Sequence, residues 1–306
     1  MRTSSEPRIR VAVFALFSAF TAGAAQADLR VFATVPEWGA LAREIGGDKV
    51  TVFNATHALQ DPHRIEAKPS LLAQARRADL LIAAGADLEA GWLPLVQRDS
   101  GNASIQTGKP GYFEAAMQVN RLEMPAVLDR AQGDVHAAGN PHVHLDPRNV
   151  LRVGEALSKR MAELDSANAS AYQSGFKAFA SRWQAAIGRW EKEAAPLKGI
   201  GVIVHHQSFV YLTHWLGMKL LGALEPKPGI EPTSGHLSGL LAQQQAAPAK
   251  MVLRAAYNAE APSQWIAAKA GMPAVLLPYT VGGTPEAKDL TALFDDTVQR
   301  LLKAVR

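Results

Sequence analysis

No cysteine occurs among the 306 residues. A disulfide framework and thiolate metal sites are therefore excluded, and no thiol is present to carry an amino-terminal lipid anchor. A strong excess of one charge is missing too. The formal net charge is +4, from 32 basic and 28 acidic side chains, which is ordinary solubility and not a nucleic-acid surface. No apolar run reaches the roughly 20 residues that a membrane span needs. The chain also lacks HExxH, the GxSxG elbow, a Walker-type phosphate loop and GxGxxG, so the common signatures of zinc proteases, serine hydrolases and nucleotide enzymes are absent. Ser208 stands near His205 and His206, but without the flanking glycines of a strained strand–turn–helix elbow. These absences argue for a protein that is not an enzyme.

The amino terminus has the layout of an export signal. Arg2, Arg8 and Arg10 precede a short apolar run over residues 11–22, and Ala25-Gln26-Ala27 offers an A-x-A cleavage site before Asp28. The expected mature protein is exported, with no membrane span of its own, and resides in the periplasm of a bacterium with two membranes. Its length exceeds one typical core, so two lobes are expected.

Apolar strands alternate with amphipathic helices in both halves. Strands are predicted over residues 29–34, 50–54 and 78–84, with helices over 38–45, 70–76 and 88–97. The scheme repeats with strands at 201–204, 219–224, 251–254 and 274–277, and helices at 210–216, 234–245, 261–270 and 286–305. Either Thr233 or Ser234 would cap the second of these helices. Such βα alternation predicts parallel, helix-covered sheets. Between the halves, Tyr172, Phe176, Phe179, Trp183, Ile187 and Trp190 recur at spacings of three and four, the stripe of one long helix. At 1.5 Å per residue that helix would be roughly 40 Å long. The expected organisation is a signal peptide over 1–27, an amino-terminal α/β lobe over 28–166, a linking spine helix over 167–196 and a carboxyl-terminal α/β lobe over 197–306. Residues 120–139, with Gly133, Gly139 and one histidine, His136, read as a surface loop.

What the chain does contain is histidine at telling places. His63 follows a strand behind Asp61-Pro62. His142 and His144 alternate in the Pro-bounded segment Pro141-His142-Val143-His144-Leu145-Asp146-Pro147. His205 and His206 end a strand. Loops at the carboxyl ends of parallel strands are where open α/β sheets place ligands, and convergent imidazoles suit a borderline-soft cation such as Zn²⁺. If the segments are extended, His142 and His144 point to opposite sides, as do His205 and His206, so one of each pair faces a shared site. His57, His214 and His236 carry no local mark of function. Asp146, Glu225 and Glu231, each close to a proline, read as capping or turn residues.

In these segments the chain resembles the ZnuA-like solute-binding proteins of zinc and manganese ABC importers. The likeness rests on Asp61-Pro62-His63, Glu66-Ala67-Lys68-Pro69-Ser70, the Pro141–Pro147 segment, His206-Gln207-Ser208-Phe209-Val210-Tyr211 and Pro228-Gly229-Ile230-Glu231-Pro232-Thr233-Ser234. It implies two Rossmann-like lobes joined by one long rigid helix, with a metal site in the cleft between them. It also implies His63, His142 and His206 as ligands, with His144 and His205 as neighbours only. Where the family places a carboxylate after the last strand, this chain has Leu277-Pro278-Tyr279-Thr280. A fourth ligand is then left to water, a nearby histidine or a carboxylate from elsewhere.

The function this resemblance implies is capture of Zn²⁺, with Mn²⁺ the weaker candidate, by a monomer that delivers it to the permease of an ABC importer. The alternatives are a periplasmic zinc chaperone, an exported zinc hydrolase built on three histidines and a water, or a binder of metal chelates. Because imidazole must be neutral to bind metal, capture should weaken as pH falls through about 6.5.

Overall fold

A computed structural model describes residues 28–124 and 136–306. The export-signal reading over 1–27 and most of the loop reading over 120–139 lie outside those residues. Among the described residues no helix is long and apolar enough to cross a membrane.

Four strands form the first sheet: β1 (Leu29–Ala33), β2 (Val50–Asn54), β3 (Leu80–Ala83) and β4 (Tyr112–Glu114), in the order β2-β1-β3-β4. Its helices α1 (Pro36–Gly46), α2 (Pro69–Arg77) and α3 (Leu93–Ser100) provide the crossovers. The second sheet contains β5 (Gly201–Val204), β6 (Lys219–Ala223), β7 (Met251–Ala255) and β8 (Ala274–Leu277), in the order β6-β5-β7-β8. Every pairing in both sheets is parallel. The central strands read as unbroken apolar runs because helices cover both faces; all four residues of β3 are buried. The two sheets share one strand order; the repeated βα pattern predicted their parallel, helix-covered character but not that order.

Several elements differ from the sequence expectation, among them β4, an unpredicted strand. The helix predicted from residue 88 begins later, at Leu93, because Ala86 and Asp87 adopt φ of 48° and 65° and force the chain through turns first. The last helix starts at Leu290 instead of 286; Asp289 caps it, its side chain accepting from the Ala292 amide at 2.8 Å. An unpredicted helix, α4 (Pro147–Leu164), follows the second histidine segment, capped by Asp146 with proline in its first turn.

The spine is α5 (Ala169–Glu193), unbroken through Gly175 and Gly188. Tyr172, Phe179, Trp183 and Trp190 are buried along its stripe, while Phe176 and Ile187 pack at the margin. Toward the first lobe, Trp183 Nε1 donates to Pro147 O at 2.8 Å and Arg182 pairs with Glu44 at 2.8 Å. Toward the second lobe, Trp190 Nε1 and Arg189 both reach Asp295 on α9 (Leu290–Ala304), at 2.6 and 2.8 Å. Phe294 stacks among Trp183, Trp190 and Trp215, with centroids 5.0–5.8 Å apart. One apolar core thus runs from lobe to lobe along this helix.

Candidate metal centre

The described residues bring His63, His142 and His206 together, with one ligand atom from each lying within 4.8 Å of the others. Their rings meet edge-on, with centroids 5.5 Å (His63–His142), 5.2 Å (His63–His206) and 5.6 Å (His142–His206) apart. His63 and His142 come from the first lobe and His206 from the second, so the cluster spans the cleft.

Each ring is fixed by what its Nδ1 touches. Asp61 Oδ1 accepts from the His63 amide at 3.0 Å and lies 2.7 Å from His63 Nδ1. One carboxylate oxygen therefore both closes the turn after β2 and sets the ring. The turn is held from behind by Trp92 Nε1, which donates to Pro62 O at 3.0 Å. His142 Nδ1 lies 2.7 Å from Tyr279 Oη, beyond β8, and its amide donates to Asn140 Oδ1 at 3.0 Å. His206 Nδ1 lies 2.7 Å from Glu225 Oε2, beyond β6, and that same oxygen accepts from the Gly229 amide at 2.7 Å. A carboxylate can only accept here, so Nδ1 of His63 and of His206 carries the proton and Nε2 presents a lone pair. The Nε2 atoms of His63 and His142 are buried and have no hydrogen-bond partner, an expensive state unless a ligand completes it.

Electrostatics reinforce this. Burial, then the neighbouring imidazoles of His63, His206, His136 and His144, hold His142 well below the ordinary imidazole value, so its lone pair is available. Burial pushes the Asp61 carboxyl up, but its hydrogen bonds from His63 and the imidazoles of His63 and His206 outweigh that and hold it below the usual carboxylate range. Three neutral imidazoles would leave a divalent cation uncompensated. Asp61 and Glu225, one bond behind His63 and His206, supply two negative charges. A cavity of about 20 Å³ lies between them, lined by Asp61, His63, His206, Glu225, Gly229, Tyr257 and Asn258.

The remaining histidines sort themselves. His144 is buried but turned away: its Nε2 donates to Tyr279 O at 2.9 Å, and its Nδ1 lies 3.2 Å from Glu37 Oε1. The extended alternation expected at 142–144 is not the reason, since residues Val143–Leu145 form a single 3₁₀ turn. His205 is buried with Nδ1 unpartnered and makes no ring contact with the cluster. His236 donates to, or turns toward, Ala223 O at 2.8 Å. His136 was read only as a loop residue, yet its ring stacks on His63 at 5.4 Å. Glu225 was read as a turn residue; it does close a turn, and it also orients His206. Ser208 is buried, and its Oγ lies 3.0 Å from Tyr257 Oη. A groove of about 840 Å³ lies at the opposite ends of β1 and β3, where Arg30 pairs with Asp79.

Comparison with known proteins agrees with this architecture. The family model described as "ZnuA: Zinc-uptake complex component A periplasmic" matches residues 31–304. The metal ABC transporter substrate-binding lipoprotein SloC of Streptococcus mutans is 26% identical over 172 residues, covering 56% of this chain and 54% of that protein. The manganese ABC transporter substrate-binding lipoprotein ScaA of Streptococcus gordonii is 26% identical over 151 residues, covering 49% and 46%. The chain thus matches about half the length of these curated relatives. A crystal structure of ZnuA superposes with a TM-score of 0.75 at 23% identity, covering 91% of this chain and 100% of the other. That likeness speaks for the fold. The metals named among the relatives differ.

Proposed function

The chain belongs to the ZnuA family of periplasmic zinc-uptake components, a family of transport proteins and not of enzymes, and on that premise we propose that it captures Zn²⁺ outside the cytoplasm and passes it to the permease of an ABC importer. His63, His142 and His206 are the ligands in this reading. The observation that carries it is the convergence of three imidazoles from two lobes, each with Nδ1 committed elsewhere, with the Nε2 atoms of His63 and His142 buried and without a partner. A nitrogen-rich set at about 2.0–2.1 Å suits Zn²⁺, whereas Mn²⁺ favours oxygen donors. At the carboxyl end of β8, Tyr279 offers a phenol that burial keeps protonated and that is already bonded to His142. This favours zinc over manganese.

The test is titration of metal-stripped protein with Zn²⁺ and Mn²⁺, beside His63→Ala, His142→Ala and His206→Ala. One saturable zinc site, tighter than for Mn²⁺ and severely weakened by each substitution, is expected. Zinc binding indifferent to these substitutions, or tighter binding of Mn²⁺, would refute the assignment. Zinc uptake in a strain lacking the protein, restored by the wild type and not by the triple variant, separates importer delivery from a chaperone role.

A further inference from the structure

Resting on that reading, we infer that Glu37 is a positioning residue for the metal centre: from the first lobe it pins the Tyr279–Thr280 segment of the second, and so holds the Tyr279 phenol against the ligand His142. The three ligands are not oriented alike. Asp61 belongs to the same loop as His63, and Glu225 to the same lobe as His206, so each of those rings takes its bearing from its own half of the molecule. His142 takes its bearing from across the cleft, because Tyr279 Oη, 2.7 Å from His142 Nδ1, follows β8. The seat of that phenol therefore depends on how the lobes are fastened.

The fastening converges on one carboxylate. Glu37 stands in the first turn of α1 and is fully buried. Its Oε2 accepts from Thr280 Oγ1 at 2.5 Å. Its Oε1 lies 3.2 Å from His144 Nδ1, close enough to hold the ring though not aligned as a hydrogen bond. His144 in turn donates from Nε2 to Tyr279 O at 2.9 Å. Glu37 thus grips the segment directly through Thr280 and indirectly through His144. Tyr279 and Thr280 are both buried. The Tyr279 ring meets those of His142, His144 and Tyr257 edge-on, with centroids 4.9–5.4 Å apart, so the phenol shifts only when its backbone shifts. A buried carboxylate adds little net stability, since desolvation offsets what its partners return. Its loss here would leave Thr280 Oγ1 without an acceptor and His144 without its neighbour, and would free the segment that carries the phenol.

The experiment is a double-mutant cycle on zinc affinity in the full chain, read by chelator competition, with Glu37→Ala and Tyr279→Phe alone and together. Thr280→Val replaces Glu37→Ala in a second cycle, as a near-isosteric release of the same segment. Tyr279→Phe, which removes only the oxygen behind His142, should weaken zinc binding about 10–100-fold. Glu37→Ala should weaken it about ten-fold, and Thr280→Val in the same direction. Because both act through the phenol, neither should weaken Tyr279→Phe further by more than about two-fold. Glu37→Gln and Thr280→Ser, which keep the acceptor and the hydroxyl, should return affinity toward the wild type. In zinc-loaded protein labelled with ¹⁵N-histidine, Glu37→Ala should move the His142 Nδ1 signal and leave those of His63 and His206 in place. Losses that multiply in the double variants, or wild-type affinity in both Glu37→Ala and Thr280→Val, would overturn the inference and leave the three-histidine capture reading intact. Zinc binding by the wild type that does not engage His142 would overturn that reading as well.

Discussion

At the scale of single residues, the groups behind the imidazoles decide how well the cluster performs. Asp61→Asn and Glu225→Gln each keep an oxygen that can accept from Nδ1 but remove a charge. Zinc affinity should fall about 10–100-fold in each, and further in the double variant, while the ligand set stays the same; a chelator competition assay reads this directly. The pH dependence of stability should carry two contributions of opposite sign. His142 and His136 are held below the ordinary imidazole value, His136 down to about 3, by burial first and neighbouring imidazoles second. Their neutral forms therefore stabilise the metal-free fold above about pH 6.5, and that contribution is lost as pH falls below it. Glu89 has the opposite sign. Burial pushes it up to about 7, against hydrogen bonds from Thr34, Ala84 and Gly85. Its contribution is complete below the ordinary carboxyl value and is lost as pH rises through about 7. Glu89→Gln should flatten the decline in unfolding free energy between pH 5 and 7.5 measured by denaturant titration. The sequence made His63, His142 and His206 legible because each sits at a strand end or beside proline in a recognisable segment. Asp61 stood inside such a segment, but its bond to the ring was not legible. Glu225 lies 19 positions from His206, and only the parallel neighbours β5 and β6 bring the two together. The reach of His136 depends on a tertiary turn that no local pattern announces.

At the scale of elements, the long helix was the clearest object in the sequence, because six apolar side chains at helical spacing survive any uncertainty about its ends. What could not be read was its fit. At Gly175 a Cβ would stand 2.0 Å from Ile45 O at the end of α1, whereas at Gly188 nothing lies within 4 Å. Gly175→Ala should therefore push α1 away and destabilise the protein by about 1–3 kcal/mol. Gly188→Ala should stabilise it by about 0.5–1 kcal/mol by restricting the unfolded chain. Equal effects from the two in thermal or urea unfolding would contradict the close packing of the spine. β4 and α4 escaped prediction for different reasons. β4 has three residues, too few for a period, and α4 follows a segment whose histidines and prolines suggested extended chain.

For the whole molecule, the lobes meet through buried polar groups as well as through the spine. Glu37, on α1, lies 3.2 Å from His144 and accepts from Thr280 beyond β8 at 2.5 Å, and His144 donates to Tyr279 O. Tyr211, on α6 (Val210–Leu216), donates to Asn140 O at 2.9 Å and accepts from the Leu122 amide at 2.9 Å. Opening the lobes as a hinge would break these contacts and exchange them for water, at about 0.5–1.5 kcal/mol for each hydrogen bond lost, besides exposing the apolar core along the spine. Metal exchange should accordingly proceed by local shifts. Hydrogen exchange of the metal-free and zinc-loaded forms should differ around residues 57–66, 136–146 and 205–229 and agree along α5. A change in protection along α5 would point to hinge motion instead.

The split origin of the cluster has a bearing on how long the protein survives. Neither lobe alone holds the set, so whatever unfolds either half dissolves the site, and a bound ion resists unfolding of both. An ion present at a thousand times its dissociation constant would add about 4 kcal/mol against unfolding. Proteases, which attack opened chains, would clear the empty protein far faster than the loaded one. Abundance would then track supply: a cell starved of the ion would lose its idle carriers to turnover and keep the laden ones.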